Sequence, residues 1–448
     1  MKTLHRFLVG LVVVALFATA CGTATPVAAP TTTAPTVAAP TSAPEASGNI
    51  SFMVFGDPAE LKAYQTVVTA FEQKYPQIKV EVIHLPSQGD YSNRLAADLA
   101  AGTPADIVLL NYRRYAGFVS KKALAPLDSY INASTLLKPS DFYPQSFNAF
   151  SFQKSVYCLP QNISSLEVYY NKALFDAAGV AYPAADWTWD DFLNTAKALT
   201  KDTNSDGQTD EYGLGTEVTL IRVAPFIWQN GGDVVNRSPE GNPSQLAWDT
   251  PETKTAIQWF VDWQVKHHIV PTQEEEKSES SQNRFLNGRL GMYLDSRRVV
   301  PTFRESIKFD WDVAPLPRGT VAKATILHSD GYCMTSASKN KEAAWKLMEF
   351  ANSPEGQTII AGTGRTVPSL KAVASSPAYL DPKAKPANSK VWIDMADYVV
   401  SVPVLPAWAD VEEIAGAELQ QAYYGQKSVD DAVKTAIEQT RKYFTETE

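Results

Sequence analysis

The run Asp202-Thr203-Asn204-Ser205-Asp206-Gly207-Gln208-Thr209-Asp210-Glu211 places oxygen side chains at alternate positions, with a glycine after the third. Hard oxygen ligands and a sharp turn are what a calcium loop needs. The twelfth position is Gly213 rather than Glu, so the run is not a standard helix–loop–helix site. Asp210 and Glu211 are then the candidate closing carboxylates, and a polar turn without metal is the alternative. A second set is cationic. Arg113, Arg114, Arg297, Arg298 and Arg365 fall near the ends of expected elements. Guanidinium groups bind carboxylate or phosphate in bidentate fashion; surface ion pairing is the alternative. Catalytic signatures are missing: there is no GxSxG, no HExxH and no P-loop. The five histidines, at 5, 84, 267, 268 and 328, show no metal spacing. A glycoside hydrolase needs two carboxylates placed across the scissile bond, and a carboxylate-rich composition does not supply that placement.

The elements that must position these groups can be read from periodicity. Ile50–Phe55 reads as a strand ending at Gly56-Asp57-Pro58, followed by a helix with Leu61, Tyr64, Val67, Val68 and Phe71 on one face. Asp57 is suited to cap that helix and Pro58 to open it. Ile78–Leu85 is a second strand, Tyr91–Ala101 a second helix, and 106–110 a short apolar strand of the kind buried in a parallel sheet. This alternation predicts a doubly wound α/β body, in which ligands sit beyond the carboxyl ends of the strands. Those ends are Gly56-Asp57 and Asn111-Tyr112-Arg113. Leu290–Leu294 ends similarly at Asp295-Ser296-Arg297-Arg298.

The stretch Tyr157–Phe175 has two β-like pieces around Gln161-Asn162-Ile163-Ser164-Ser165, with no hairpin signal. It reads as a crossing between two bodies. His328–Ser336 reads as a second crossing strand, and each crossing carries one cysteine, Cys158 and Cys333. In an exported chain these two either pair or remain buried thiols. Pairing needs Cα atoms within about 7 Å.

The ends and the composition bound the rest. Lys2, His5 and Arg6 precede a short apolar run and then Ala18-Thr19-Ala20-Cys21. That order fits a signal peptide over 1–20 and a lipid attached to Cys21. Residues 21–48, rich in Thr, Ala and Pro, read as an extended linker without a core. The remaining residues suit two domains. The formal net charge of −9 argues against a nucleic-acid partner.

The order GMYLD, PLP, HSDGYCMTSASKNKEAAWKLMEFANSPEGQ and GRTVPS resembles the sugar-binding group of bacterial extracellular solute-binding proteins of ABC importers. Tyr157-Cys158-Leu159-Pro160, Tyr169-Tyr170-Asn171-Lys172, Thr188-Trp189-Asp190 and Trp228-Gln229-Asn230-Gly231-Gly232 are similar to the family's other motifs. The resemblance implies a two-lobed periplasmic-binding-protein fold, with lobes at 49–158 plus 334–395 and 163–330 plus 396–448. It implies capture of a sugar without catalysis by a monomer held on the outer face of the cytoplasmic membrane, and delivery to permease subunits. An exported carbohydrate-active enzyme or a sensor subunit on the same fold is the alternative. Family position and strand-end logic together nominate Asp57, Asn111, Tyr112, Gln161, Asn162, Trp228, Gln229, Asp295, Arg297, Asp330, Tyr332, Arg365 and Trp408 as ligand contacts. Aromatic faces would stack on sugar C–H surfaces and the polar groups would take hydroxyls.

Overall fold

The computed structural model describes residues 46–239 and 241–444. The signal peptide, Cys21 and all but the end of the linker lie outside the described residues. Among the described residues no helix is long and apolar enough to cross a membrane.

Two sheets organise the chain. The first is built from β1 (Gly48–Phe55), β2 (Ile78–Leu85) and β3 (Ile107–Asn111), which run parallel. The strand Asp330–Met334 adds antiparallel to β3, and Cys158–Pro160 adds antiparallel to that. The residues of β3, Ile-Val-Leu-Leu-Asn, are all buried, as expected of a central strand covered on both faces. Helix α1 (Pro58–Lys74) packs on this sheet through Ala63, Tyr64, Val67, Val68 and Phe71. Its start is fixed by a reciprocal cap. The Glu60 amide donates to Asp57 Oδ1 at 2.9 Å, and the Asp57 amide donates to Glu60 Oε2 at 3.0 Å. Helix α2 (Gln88–Ala100) begins at the cap Ser87.

The second sheet has the order Trp311–Ala314, Glu167–Asn171, Leu290–Asp295, Tyr212–Gly215. Helices Leu220–Gln229, Pro251–Val265, Trp408–Tyr423 and Val429–Thr440 pack together on this body.

Between the two sheets lie the crossings. Ser164–Ser165 pairs antiparallel with Thr325–His328, which in turn pairs with Val399–Val400. The chain therefore leaves the first sheet at Pro160, passes Ser164–Ser165 and enters the second sheet at Glu167. It returns through Thr325–His328 into Asp330–Met334. Cys158 and Cys333 are directly opposed across their strands, with Cα atoms 4.2 Å apart and the sulfurs joined as a disulfide.

Two stretches sit differently from the expected lobe limits. Asp330, expected at the end of a second-lobe segment, begins a strand of the first sheet. The segment near Lys385–Trp392 packs on the second body, because Trp311–Ala314 is an edge strand whose free groups need partners. Asn388 satisfies one of them, its Nδ2 donating to Val313 O at 3.0 Å, and its amide donates to the Asp312 side chain at 2.9 Å. Trp392 Nε1 donates to Ser165 O at 3.3 Å and its ring lies against Tyr169.

Candidate functional site

The carboxyl ends of both sheets and the crossing strands converge on one cleft of about 330 Å³. The end of β1 contributes Phe55, Gly56 and Asp57, and the end of β3 contributes Asn111 and Arg113. The crossings contribute Asn162, Ser164, His328 and Asp330. From the second body come Ser296 and Arg298, after Leu290–Asp295, and Glu217, Ile221 and Arg222, after Tyr212–Gly215. Arg365 enters from the turn after helix Pro354–Gly362. This is the strand-end placement that an open α/β sheet provides.

Gly56 has a positive φ of 129°, and a Cβ there would strike the Glu60 side chain. The glycine lets the end of β1 turn tightly into the capping pair of α1.

On the first body the polar groups form a connected chain. Arg113 Nε donates to Asn111 Oδ1 at 3.0 Å, and Asn111 Nδ2 donates to Asp330 Oδ1 at 3.0 Å. The Asp330 amide donates to Asn162 Oδ1 at 2.8 Å. Arg365 Nε stands 2.7 Å from Glu60 and its Nη2 3.6 Å from Asp330. Burial pushes the Glu60 carboxyl up, against the pull of Arg365 and Arg298.

On the second body Asp295 is fully buried beneath the cleft. It accepts from Arg222 Nη2 at 3.1 Å, Arg298 Nη2 at 2.8 Å, Tyr293 Oη at 2.9 Å and the Ser296 amide at 2.6 Å. Burial alone would raise its carboxyl, but Arg298 and Arg222 outweigh that and bring it down to about 2. Glu217 accepts from Arg222 at 2.9 Å and from Arg298 at 3.2 Å. His328 is held well below the ordinary imidazole range, first by burial and then by the Arg222 and Arg113 charges, so it is neutral at neutral pH.

Side-chain contacts bridge the bodies at several places, two of them at residues already described. Thr302 Oγ1 donates to Asp57 Oδ2, and Arg113 pairs with Glu412 of helix Trp408–Tyr423. Ligand contacts made to both bodies would add to these and favour closure.

Of the thirteen nominated residues, the cleft brings together Asp57, Asn111, Asn162, Asp330 and Arg365. The structure places the others elsewhere. Tyr112 is buried and its hydroxyl accepts from the Val402 amide. Gln161 and Tyr332 are buried in the first body, where Tyr332 donates to Gln161 Oε1 at 3.0 Å. Gln229 is buried, bonded to Trp189 and to Ala324 O. Trp228 lines a separate depression with Gly231, Gly232 and Val402, its Nε1 donating to Asp233. Arg297 is buried against the Tyr379 and Trp392 rings and donates to Gly364 O. Trp408 is fully buried at the start of its helix, and Asp295 supports the cleft from beneath. Glu60, Glu217, Arg222, Ser296 and His328 line the cleft without having been nominated. Glu60 carried a legible signal, the Asp-x-x-Glu capping pair at a strand end.

The loop 202–211 supplies oxygen ligands, and its three aspartates already accept hydrogen bonds within the loop. Asp202 accepts from the Ser205 and Gly207 amides, Asp206 from the Gln208 amide and Asn204 Nδ2, and Asp210 from Thr203. Among the described residues no group of three or more His, Cys, Asp or Glu is arranged to hold a metal ion. The cleft draws on none of these loop residues.

The family model for bacterial extracellular solute-binding proteins matches residues 56–358. A binding protein of Brucella abortus is 26% identical over 386 residues, covering 83% of this chain and 87% of that protein. The sn-glycerol-3-phosphate-binding periplasmic protein UgpB of Pectobacterium atrosepticum is 26% identical over 270 residues, 58% of each chain. Among solved structures, the ABC substrate-binding protein Lmo0181 of Listeria monocytogenes, in complex with cycloalternan, superposes with a TM-score of 0.80 at 27% identity. It covers 88% of this chain and 98% of its own.

Proposed function

The chain belongs to the family of bacterial extracellular solute-binding proteins, and on that premise we propose that it captures a carbohydrate in the inter-body cleft and hands it to an ABC permease. The observation that carries this reading is the cleft itself: polar groups from the strand ends of two bodies, joined by crossing strands, face one enclosed space. The cycloalternan bound by the Listeria relative supports the carbohydrate class. The reading includes capture without reaction. Glu60, Glu217 and Asp330 are each engaged by an arginine, and Asp57 by a helix amide and Thr302. None stands free to act as a general acid or base. It also includes a monomer tethered through a lipid on Cys21, with docking of the closed form on the membrane permease.

The test is a thermal-shift screen of the purified chain over sugars, followed by small-angle scattering with and without each hit. Bound sugar is expected to be recovered chemically unchanged and to compact the protein. Recovery of cleaved sugar favours the enzyme alternative. Binding without compaction removes hinge closure.

A further inference from the structure

The lining of the cleft narrows what the ligand can be. Four guanidinium groups, Arg113, Arg222, Arg298 and Arg365, share the cleft with four carboxylates, Asp57, Glu60, Glu217 and Asp330. Two more carboxylates, Asp295 and Glu412, stand behind them and pair with the same arginines. The cations are therefore compensated before any ligand arrives. An anionic ligand would be brought, partly desolvated, against these carboxylates, and like-charge juxtaposition is costly in a closed site. A hydroxyl group, in contrast, donates to a carboxylate and accepts from a guanidinium at once.

Size and shape narrow it further. At about 330 Å³ the cleft lies at the low end of small-molecule sites, about 300–1,000 Å³. Among the described residues that line it, the rings are Phe55 and His328. No tryptophan or tyrosine offers the flat face on which successive sugar rings stack.

Two of the cleft arginines, Arg222 and Arg365, each bury an Nε that makes no hydrogen bond. Arg365 is only 3% exposed, yet its Nε makes no hydrogen bond and its Nη2 stands 3.6 Å from Asp330. Its near approach to Glu60 is an ion pair with poor hydrogen-bond alignment. A buried donor left without an acceptor is expensive, and Arg365 lines the cleft, where a ligand oxygen would supply one.

We propose that the cleft takes an uncharged, single-ring sugar or a sugar alcohol, with Arg365 as a buried donor to one of its hydroxyl oxygens. This rests on the carbohydrate reading and selects within it against phosphorylated or acidic sugars and against oligosaccharides.

The experiment is titration calorimetry on the purified chain with three panels. The first holds neutral hexoses, pentoses and sugar alcohols. The second holds glucose 6-phosphate, sn-glycerol 3-phosphate and galacturonate. The third holds maltose and maltotriose. The expected result is a member of the first panel bound at least about tenfold more tightly than any member of the other two, a gap of about 1.4 kcal/mol. Its affinity should change little as salt rises from about 0.05 to about 0.5 M, since a neutral ligand is not screened. Tightest binding by a charged sugar or by maltotriose overturns the inference and leaves carbohydrate capture standing. Failure of all three panels removes the carbohydrate reading itself, and the inference with it.

Discussion

The cleft and the helical layer of the second body use opposite chemistry. The cleft is lined by paired charges and almost no rings. The layer beneath it is a continuous ring cluster. Trp189 stacks on Trp259 with centroids 4.1 Å apart, Trp259 meets Trp263 edge-on at 5.0 Å, and Phe226, Phe260 and Tyr423 extend the contact. Both regions contain residue types that sugar-binding sites employ. The difference lies in solvation. The faces of aromatic rings gain by leaving water without needing a polar partner, so the fold spends them on its core. Arginine and aspartate are costly to bury unless they are paired or hydrogen-bonded, and the pairs gather where two bodies close on a space that a polar ligand can fill.

The largest effect expected from this division is on stability. Trp263 is fully buried at the centre of the ring cluster. Replacing it with alanine should cost about 3–5 kcal/mol, read by urea unfolding. Sugar affinity of the folded fraction should not change. A parallel loss of affinity would break the separation, because the rings would then be shaping the cleft.

Glu167 sharpens the comparison from between the two regions. It is fully buried like the cleft carboxylates, but no cation meets it. Its oxygens accept from Ser165 Oγ at 2.6 Å and from the Leu316 amide at 3.2 Å. Burial therefore dominates and pushes its carboxyl up to about 8, against about 4.3 for an unfolded Glu. The folded state holds the proton to a higher pH than the unfolded state does. The linked stability is complete at low pH, declines as pH rises from about 4.3, and levels off above about 8, at up to 1.36 kcal/mol per pH unit across that window. Glu167→Gln should flatten that decline, leaving the variant more stable than the parent at pH 8.5 by a few kcal/mol. Superimposable pH profiles of the two proteins would show that Glu167 is charged and has found a partner.

Much of the architecture was legible because it rests on local patterns. The cap at Asp57, the apolar β3 and the hairpin-free crossing at Gln161–Ser165 are each specified within a few residues. Strand-end logic together with family position also nominates Asp57, Asn111 and Asp330, and all three line the cleft. What sequence could not resolve was direction. Arg297 and Arg298 are neighbours at one strand end, yet Arg297 turns into the Tyr379 and Trp392 rings while Arg298 faces the cleft. A shift of one residue moves a side chain to the other face, and only packing decides which. Tyr112 against Arg113 repeats the pattern. Arg222 and Glu217 were missed for a related reason. They belong to a helix and its approach, and which helical face meets a cleft depends on docking against Pro251–Val265, a contact distant in sequence.

A more modest effect, on affinity, tests the cleft side of the comparison. Arg365→Met alone would strand Glu60, so it is best read together with Glu60→Gln in the same chain. The double variant should weaken sugar binding by roughly ten- to a hundredfold, the loss of a hydrogen bond from a charged donor at about 1.5–3 kcal/mol. Trp263→Ala provides the opposite pattern, stability lost with affinity kept. If the double variant binds normally, Arg365 is held by its ion pairs alone and the ligand's oxygens go to Arg113, Arg222 or Arg298.

The smallest effect concerns charge outside both regions. The loop 202–211 is exposed, and its three aspartates spend their oxygens on loop amides, Thr203 and Asn204. Calcium would have to displace several of these bonds to gain ligands, and the left-handed turns at Ser205 and Gly207 are already formed. Extracellular calcium modules bind with dissociation constants of about 0.1–1 mM, and displacement weakens that further. At about 1 mM Ca²⁺ the chelated protein should therefore gain less than about 1 kcal/mol by mass action, with sugar affinity unchanged. Calorimetry and melting curves measure this directly. A gain well above that figure would mean that the loop rearranges around the ion, and would give this chain a third way of satisfying carboxylates beside the paired cleft and the neutral Glu167.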